Sequence, residues 1–121
     1  MTVSNKDIVL TAMRELFHDK DLTAIDRYWA EPYLQHNPTM PNGLDGLRAV
    51  VPHLEGFSWE PARVVEDGDL VMTHSRVLGW AETPVVIVDI FRLENGRIVE
   101  HWDVVQPEVT ADASVNGNPM V

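Results

Sequence analysis

The sequence predicts an α+β fold in which N-terminal helices pack inside a strongly curved antiparallel sheet. Apolar residues recur at helical spacing in the first part of the chain, whereas β-branched and aromatic residues form strand-like runs in the second part. Helices are followed by strands, without the strand-helix-strand alternation that is typical of parallel sheets. Helix side chains close one end of such a cone, so we expect a small-molecule pocket at its open mouth.

Two N-terminal helices are predicted from their caps and their apolar stripes. Residues 4–7 read Ser-Asn-Lys-Asp, which resembles a capping box, and the apolar spacing that follows predicts a helix over 5–18. Asp21 can cap a shorter second helix whose apolar stripe extends to Trp29. Pro32 ends that helix, because the residue before a proline disfavours the helical conformation.

A third helix and a tail complete the non-strand parts of the chain. The third helix is expected from Leu44 onward, with a break or kink at Pro52, whose ring removes a backbone donor. The segment 33–38, between the second and third helices, follows neither a helical nor a strand period. We expect one domain over 1–106 and an irregular polar tail over 107–121.

Four antiparallel strands are predicted in the second half of the chain. Residues 59–65 and 70–80 follow a strand pattern on either side of a turn, and residues 85–106 form a long hairpin. Asn95-Gly96 is the hairpin signal, because both positions of such a turn require positive φ. Both faces of this hairpin are apolar. We therefore expect the helices to cover one face and another sheet or subunit to cover the other.

Asp89, His101 and Asp103 are titratable residues in the middle of hairpin strands that are otherwise apolar. A buried charge is costly unless it is paired or functional, so these residues are candidates for a site. Symmetric pairing about the turn places Asp89 opposite Trp102, on the outer face. A shift of the register by an odd number of residues would instead bring Asp89 to the face of Asp103, and the hairpin pattern is compatible with both registers.

Composition excludes several classes of function. The chain has 121 residues, which is the size of one domain, and no cysteine, which excludes disulfides and thiolate chemistry. Its net charge of −10 repels phosphate backbones and anionic lipid, so we expect no nucleic-acid partner. No secretion signal precedes the first helix and no apolar run approaches the roughly 20 residues of a membrane span, so we expect a soluble cytoplasmic protein.

Three segments carry a resemblance to a known family. Residues 33–38 read Tyr-Leu-Gln-His-Asn-Pro and are followed by Gly43, residues 89–92 read Asp-Ile-Phe-Arg, and residues 95–103 read Asn-Gly-Arg-Ile-Val-Glu-His-Trp-Asp. With these segments, the sequence over roughly 5–106 resembles the SnoaL-like polyketide cyclase family, within the nuclear transport factor two superfamily of α+β cones. The superfamily hosts enzymes and binding modules alike.

This resemblance implies a homodimer that pairs through the convex sheet faces, with one pocket in each subunit. It also implies a metal-free, cofactor-free intramolecular aldol condensation. The acid/base carboxylate of the characterised cyclases falls at Asp103. A histidine on their preceding strand falls at Asp89, so the chain departs from their pattern at that position.

We therefore expect Asp103 to remove a proton from a carbon next to a carbonyl in a small hydrophobic substrate. The enolate oxygen then needs a donor, for which His36, His74 and His101 are available. Aldol condensation, isomerisation and dehydration all use such a base and such a donor. We predict the catalytic residues Asp103, His36 and His101 and the substrate-binding residues Asp89, His74, Trp29, Tyr33 and Phe91.

Several alternatives are compatible with the sequence. Asp103 is a structural carboxylate if it pairs with Arg92 or with backbone donors, and Asn37 is expected to satisfy the local backbone before Pro38. A metal site would need the imidazoles and Asp103 to converge, and no tight ligand motif supports one, so we expect no metal. The same cone without a competent base would be a non-catalytic module for ligand binding or dimerisation.

Overall fold

The first helix has the predicted extent. The computed structural model describes residues 3–121, in which helix α1 spans Asn5–Met13 and continues as a π-helical turn over Arg14–His18. Ser4 caps it, because the Asp7 N–H donates to Ser4 Oγ at 3.1 Å. Its buried side chains are Val9, Ala12, Met13, Leu16 and Phe17.

The second helix is shorter than its predicted stripe. Helix α2 spans Ala24–Tyr28, and the chain turns at once into strand β1 over Trp29–Gln35, which the sequence did not predict. Burial does not alternate regularly along β1, and its register with β5 shifts between Trp29 and Leu34. Helix α3 follows over Asp45–Val50, and the predicted break at Pro52 is the 3-10 turn over Val51–His53.

The four antiparallel strands are confirmed. They are β2 over Ser58–Asp67, β3 over Leu70–Leu78, β4 over Val85–Glu94 and β5 over Arg97–Pro107. The sheet has the order β1-β5-β4-β3-β2, and β1 joins β5 in parallel at its far edge. The fold is α+β, as predicted, with a mixed sheet of five strands.

The turn between β4 and β5 has the predicted shape, with φ of 51° at Asn95 and 75° at Gly96. Its register is not symmetric. Leu93 lies opposite Ile98 and Arg92 lies opposite Glu100, which leaves one extra residue, Val99, in β5. This bulge shifts the register by one residue for the rest of the hairpin.

Asp89 consequently lies opposite Asp103 in the ladder, and Trp102 lies opposite Ile90. The symmetric pairing of Asp89 with Trp102 is therefore wrong, and the shifted register is present. Because side chains alternate along a strand, Asp89, His101 and Asp103 all point to the inner face, where the helices pack.

The residue that follows β5 is tied to the sheet. Arg76 on β3 holds Glu108 through two contacts, from Nε to Oε2 at 2.8 Å and from Nη2 to Oε1 at 3.0 Å. The chain then forms a 3-10 turn over Ala111–Ala113. Within residues 3–121, no helix has the length and apolar character that crossing a membrane requires.

Candidate functional site

A cavity of about 70 Å³ lies between the helices and the inner face of the sheet. Most of its wall is apolar, including Met13, Phe17, Trp29, Leu47, Trp59 and Phe91. A wider, more open depression of about 620 Å³ adjoins it, and both cavities are lined by Asn37 and Asp103. These two residues therefore stand where an apolar interior meets the mouth of the cone.

Two buried carboxylates face each other in this wall. Asp89 and Asp103 pair across β4 and β5, and their side chains are 9% and 8% exposed. Asp89 Oδ1 lies 2.8 Å from Nε2 of His101. Asp103 Oδ2 lies 4.0 Å from the same nitrogen and accepts a hydrogen bond of 2.7 Å from Nδ2 of Asn37. The two carboxylates thus have different partners.

The end of β1 and the two residues after it supply the other polar groups of the pocket. Gln35 Oε1 lies 2.7 Å from Nδ1 of His101, on the side of the ring away from Asp89. Between Gln35 and Asn37, the His36 N–H donates to the His101 carbonyl at 2.9 Å, so this segment runs beside β5. Alternation along an extended chain then directs Gln35 and Asn37 inward and His36 outward.

Gln35 was not predicted as a site residue, and Asn37 was predicted only to satisfy the local backbone. Asn37 does satisfy local backbone, because its Oδ1 accepts the Thr39 N–H at 2.8 Å, but its Nδ2 also reaches Asp103. The signal in the sequence is an amide on each side of His36, at the spacing of a strand. Three residues are too few to establish a strand period.

His36 and His74 lie on the outer side of the sheet and do not line the cavity, contrary to expectation. The His36 ring stacks on Trp102, with centroids 4.8 Å apart and planes at 5°, and its Nε2 lies 2.7 Å from Glu100 Oε2. His74 lies opposite Val88 in the ladder, and its Nδ1 lies 3.2 Å from Nη1 of Arg63. Of the five histidines, the one in the cavity wall is His101.

The aromatic residues Trp29, Tyr33 and Phe91 are in the cavity wall. Burial raises the pKa of the Tyr33 phenol, and the negative charges of Asp89 and Asp103 raise it further. Tyr33 therefore keeps its proton. Its oxygen accepts a long contact of 3.5 Å from Gln35 Nε2, and no acceptor within residues 3–121 takes its O–H.

Arg92 does not neutralise Asp103. Its guanidinium lies on the outer side, where Nε donates to Glu100 at 2.8 Å and Nη1 donates to Glu94 at 2.7 Å. The pair with Arg92, one form of the structural alternative for Asp103, is therefore wrong. Asn37 Nδ2 is its donor in the described part of the chain.

A metal ion could be held by Asp89, His101 and Asp103, whose ligand atoms all lie within 4.8 Å of one another. Three protein ligands is the number found in catalytic zinc sites. An ion here would have to replace the 2.8 Å contact between His101 and Asp89. The wider set that includes His36 and His74 does not converge, because both of these lie outside.

Comparisons with known proteins agree with this architecture. The family model of the SnoaL-like domain matches residues 10–101. No curated protein matches the chain significantly. Similar solved structures show the same fold at identities too low to transfer a function.

Three of these structures illustrate the likeness. TsrD from Streptomyces laurentii is 20% identical, with a TM-score of 0.70 over 88% of this chain and 91% of that one. A protein provisionally assigned as a polyketide cyclase, from Acidithiobacillus ferrooxidans, is 17% identical, with a TM-score of 0.72 over 88% and 92%. A nuclear transport factor two-like protein of unknown function, from Cytophaga hutchinsonii, is 16% identical, with a TM-score of 0.75 over 88% and 94%.

Proposed function

This chain belongs to the SnoaL-like domain family, and from that premise we propose that it catalyses acid/base chemistry on a hydrophobic carbonyl substrate, with Asp103 as the base. The observation that carries the proposal is the position of the Asp103 carboxylate. It is 8% exposed, it lines both the apolar cavity and its mouth, and it accepts a hydrogen bond from one neutral amide. A carboxylate in such surroundings is suited to take a proton from a bound substrate.

Asp103 is the base rather than Asp89 because of their partners. Asp89 is joined to His101 at 2.8 Å, so its oxygen is already engaged with an imidazole nitrogen. Within residues 3–121, Asp103 has one donor, Asn37, and it keeps lone pairs free for a substrate proton. Two carboxylates of the same type thus take different roles because their surroundings differ.

The proposed first step breaks a C–H bond next to the substrate carbonyl. The proton moves to Asp103, and the electron pair of the bond is delocalised onto the carbonyl oxygen. The Tyr33 O–H, which has no acceptor within residues 3–121, is the donor we place near that oxygen. Tyr33 replaces His36 and His74 in this role, because both histidines lie outside the cavity.

The resulting enolate leads to aldol cyclisation, double-bond isomerisation or dehydration, according to the substrate. All three reactions need a base, an oxyanion donor and an apolar enclosure, and none needs an added cofactor. The apolar wall favours a hydrophobic substrate whose carbonyl lies at the mouth, near Asp103.

The test follows carbon-acid exchange, which reports proton abstraction whatever reaction comes next. Apolar ketones and 1,3-diketones are incubated with the protein in D2O, and the loss of the α-C–H signal is followed by NMR. The wild-type protein should accelerate this exchange, and Asp103→Asn should lower the acceleration by about 10²–10⁴-fold. Asp45→Asn, at a side chain that is 97% exposed, is the matched control and should behave as wild type.

The stability of Asp103→Asn is measured in parallel by chemical denaturation. Asn keeps an oxygen for Asn37 and removes a buried charge, so the free energy of unfolding should stay the same or rise. A loss above about 1 kcal/mol would identify Asp103 as a structural carboxylate instead. Exchange that is lost with EDTA and restored by Zn²⁺ would replace the metal-free mechanism by one through Asp89, His101 and Asp103.

A non-catalytic ligand-binding module is the competing outcome. Trp29, Trp59 and Trp80 line the cavity, so their fluorescence should report binding of the same ketones. Binding by the wild-type protein without exchange of any compound would favour this alternative.

A further inference from the structure

We infer that Gln35 holds a proton on Nδ1 of His101, so that Asp89 and His101 share one additional proton and Asp103 is left as the anion of the pocket. The proton assignment depends on geometry alone. Its catalytic consequence rests on the proposed function, because it names which groups are charged when the base acts.

The neighbouring backbone determines the orientation of the Gln35 amide. The backbone N–H of Asn37 lies 3.1 Å from Gln35 Oε1, and a backbone N–H can only donate. The opposite orientation would place the Gln35 NH2 group against this N–H, with two donors facing each other. The oxygen therefore faces Asn37, and the same oxygen lies 2.7 Å from His101 Nδ1. Since that oxygen can only accept, Nδ1 must carry a proton.

On the other side of the imidazole ring, His101 Nε2 lies 2.8 Å from Asp89 Oδ1. A neutral imidazole has one N–H, and Gln35 requires it at Nδ1. Without a further proton, the lone pair of Nε2 would face the lone pairs of a carboxylate at hydrogen-bond distance. The contact therefore contains a proton, as an imidazolium with a carboxylate or as an imidazole with a carboxylic acid. In both forms the pair has no net charge.

Asp103, in contrast, contacts an amide NH2 group instead of an imidazole nitrogen. The backbone N–H of Thr39 lies 2.8 Å from Asn37 Oδ1, which leaves Asn37 Nδ2 to face Asp103 at 2.7 Å. An NH2 group donates to a carboxylate without any added proton. Asp103 is thus satisfied as an anion. The Asn37 N–H orients the Gln35 amide, and the Thr39 N–H orients the Asn37 amide. Through these two amides, the backbone determines that the additional proton is shared by His101 and Asp89 and that the negative charge is on Asp103.

Gln35 is accordingly a positioning residue that acts through His101. Without its oxygen, His101 could carry its single proton on Nε2 and donate it to an ionised Asp89. The pair would then be an anion beside Asp103, and the two negative charges would oppose the enolate that forms at the same site. The residue that sets this charge belongs to β1, the strand that sequence patterning does not reveal.

The test reads the ring protons directly. Long-range ¹H–¹⁵N spectra of histidine-labelled protein at neutral pH show which imidazole nitrogens carry protons, and His101→Asn identifies the signals of His101. The wild-type protein should show a protonated Nδ1. Gln35→Met removes the acceptor and should move the proton to Nε2, whereas Gln35→Glu keeps an oxygen and should retain the Nδ1 proton.

Gln106→Met is the matched control, because Gln106 is exposed and lies near the end of β5. It should leave the spectra unchanged. A bare Nδ1 in the wild-type protein, or an Nδ1 proton that persists in Gln35→Met, would overturn the inference. If Gln35→Met does not fold, the wild-type and Gln35→Glu spectra decide the question.

Exchange rates separate this inference from the proposed function. Gln35→Met should lower the turnover of carbon-acid exchange by about tenfold or more, and Gln106→Met should not lower it. An Nδ1 proton in a protein without exchange activity would leave the assignment intact and remove the proposed function. Exchange activity in a protein whose His101 Nδ1 carries no proton would leave the proposed function intact and remove the proton assignment.

Discussion

At the scale of single residues, the site depends on pairs of identical side chains in different surroundings. Asp89 and Asp103 face each other across one ladder, yet an imidazole contacts one and an amide contacts the other. The histidines divide in the same way, since His101 is in the cavity wall and His36 is stacked outside on Trp102. Residue type alone therefore does not identify the side chains of the candidate site, because identical residues have different neighbours.

The two tyrosines provide a test at this scale. Tyr33→Phe removes the phenol proton that we place at the substrate oxygen, and it should lower carbon-acid exchange by about 10²–10³-fold. Tyr28→Phe is the control, because its O–H contacts Glu15 at 2.8 Å and Tyr28 is not in the cavity wall. NMR in D2O measures both variants. Equal exchange rates for Tyr33→Phe and wild type would remove Tyr33 from the mechanism.

At the scale of elements, the end of β1 and the two residues after it contact β5 on both sides of the sheet. Gln35 and Asn37 reach His101 and Asp103 on the inner side, while His36 reaches Glu100 on the outer side. The outer contacts thereby help to hold the segment that orients the inner groups. Glu100 contacts both Arg92 and His36. The Arg92 guanidinium and, to a smaller extent, His36 hold the pKa of the Glu100 carboxyl below its usual range.

A lowered pKa predicts how stability depends on pH. Glu100 contributes stability above the ordinary glutamate pKa of about 4.3, and this contribution is lost as the pH falls through the lowered value. As the pH falls from neutral to below about 4.3, wild type should therefore lose more unfolding free energy than Glu100→Gln, which has no carboxyl group to protonate. Urea denaturation at several pH values measures this difference.

Glu94→Gln is the control for this prediction. Glu94 binds the same Arg92 at 2.7 Å, but its side chain is 61% exposed, whereas that of Glu100 is 13% exposed. Solvent screens the exposed pair, so the variant should follow the wild-type curve. Parallel curves for Glu100→Gln and wild type would show that the outer contacts contribute nothing measurable.

At the scale of the whole molecule, the outer face of the sheet exposes apolar side chains. Val65, Met72 and Val104 are 59%, 37% and 69% exposed. Trp102 lies on the same face, beneath the His36 ring. An exposed apolar sheet face favours association, and the homodimer through the convex face stays a prediction of the sequence.

Two exposed valines test the predicted dimer. Val104→Glu places a charge on the exposed face through which the dimer is predicted to form. Wild type should sediment as a dimer at micromolar concentration, and Val104→Glu should sediment as a monomer. Val115→Glu changes a fully exposed valine in the tail and should leave the dimer intact. A wild-type monomer, or a Val104→Glu dimer of unchanged affinity, would contradict the prediction.

The sequence by itself determined the features that depend on local patterns. Ser4 and the apolar spacing after it predicted the first helix, Asn95-Gly96 predicted the hairpin, and the order of the elements predicted the α+β class. It also identified Asp89, His101 and Asp103 as candidates. Titratable side chains inside apolar strands are anomalies that a single sequence displays.

Only the tertiary structure decided which side chains meet in the pocket. The bulge at Val99 brings Asp89 opposite Asp103, and one residue of register determines which face every side chain of a strand occupies. The parallel pairing of β1 with β5 brings Gln35 to His101, although 66 positions separate them. The sequence around β1 has no periodic pattern that predicts this pairing, because the residues that stabilise β1 belong to a distant part of the chain.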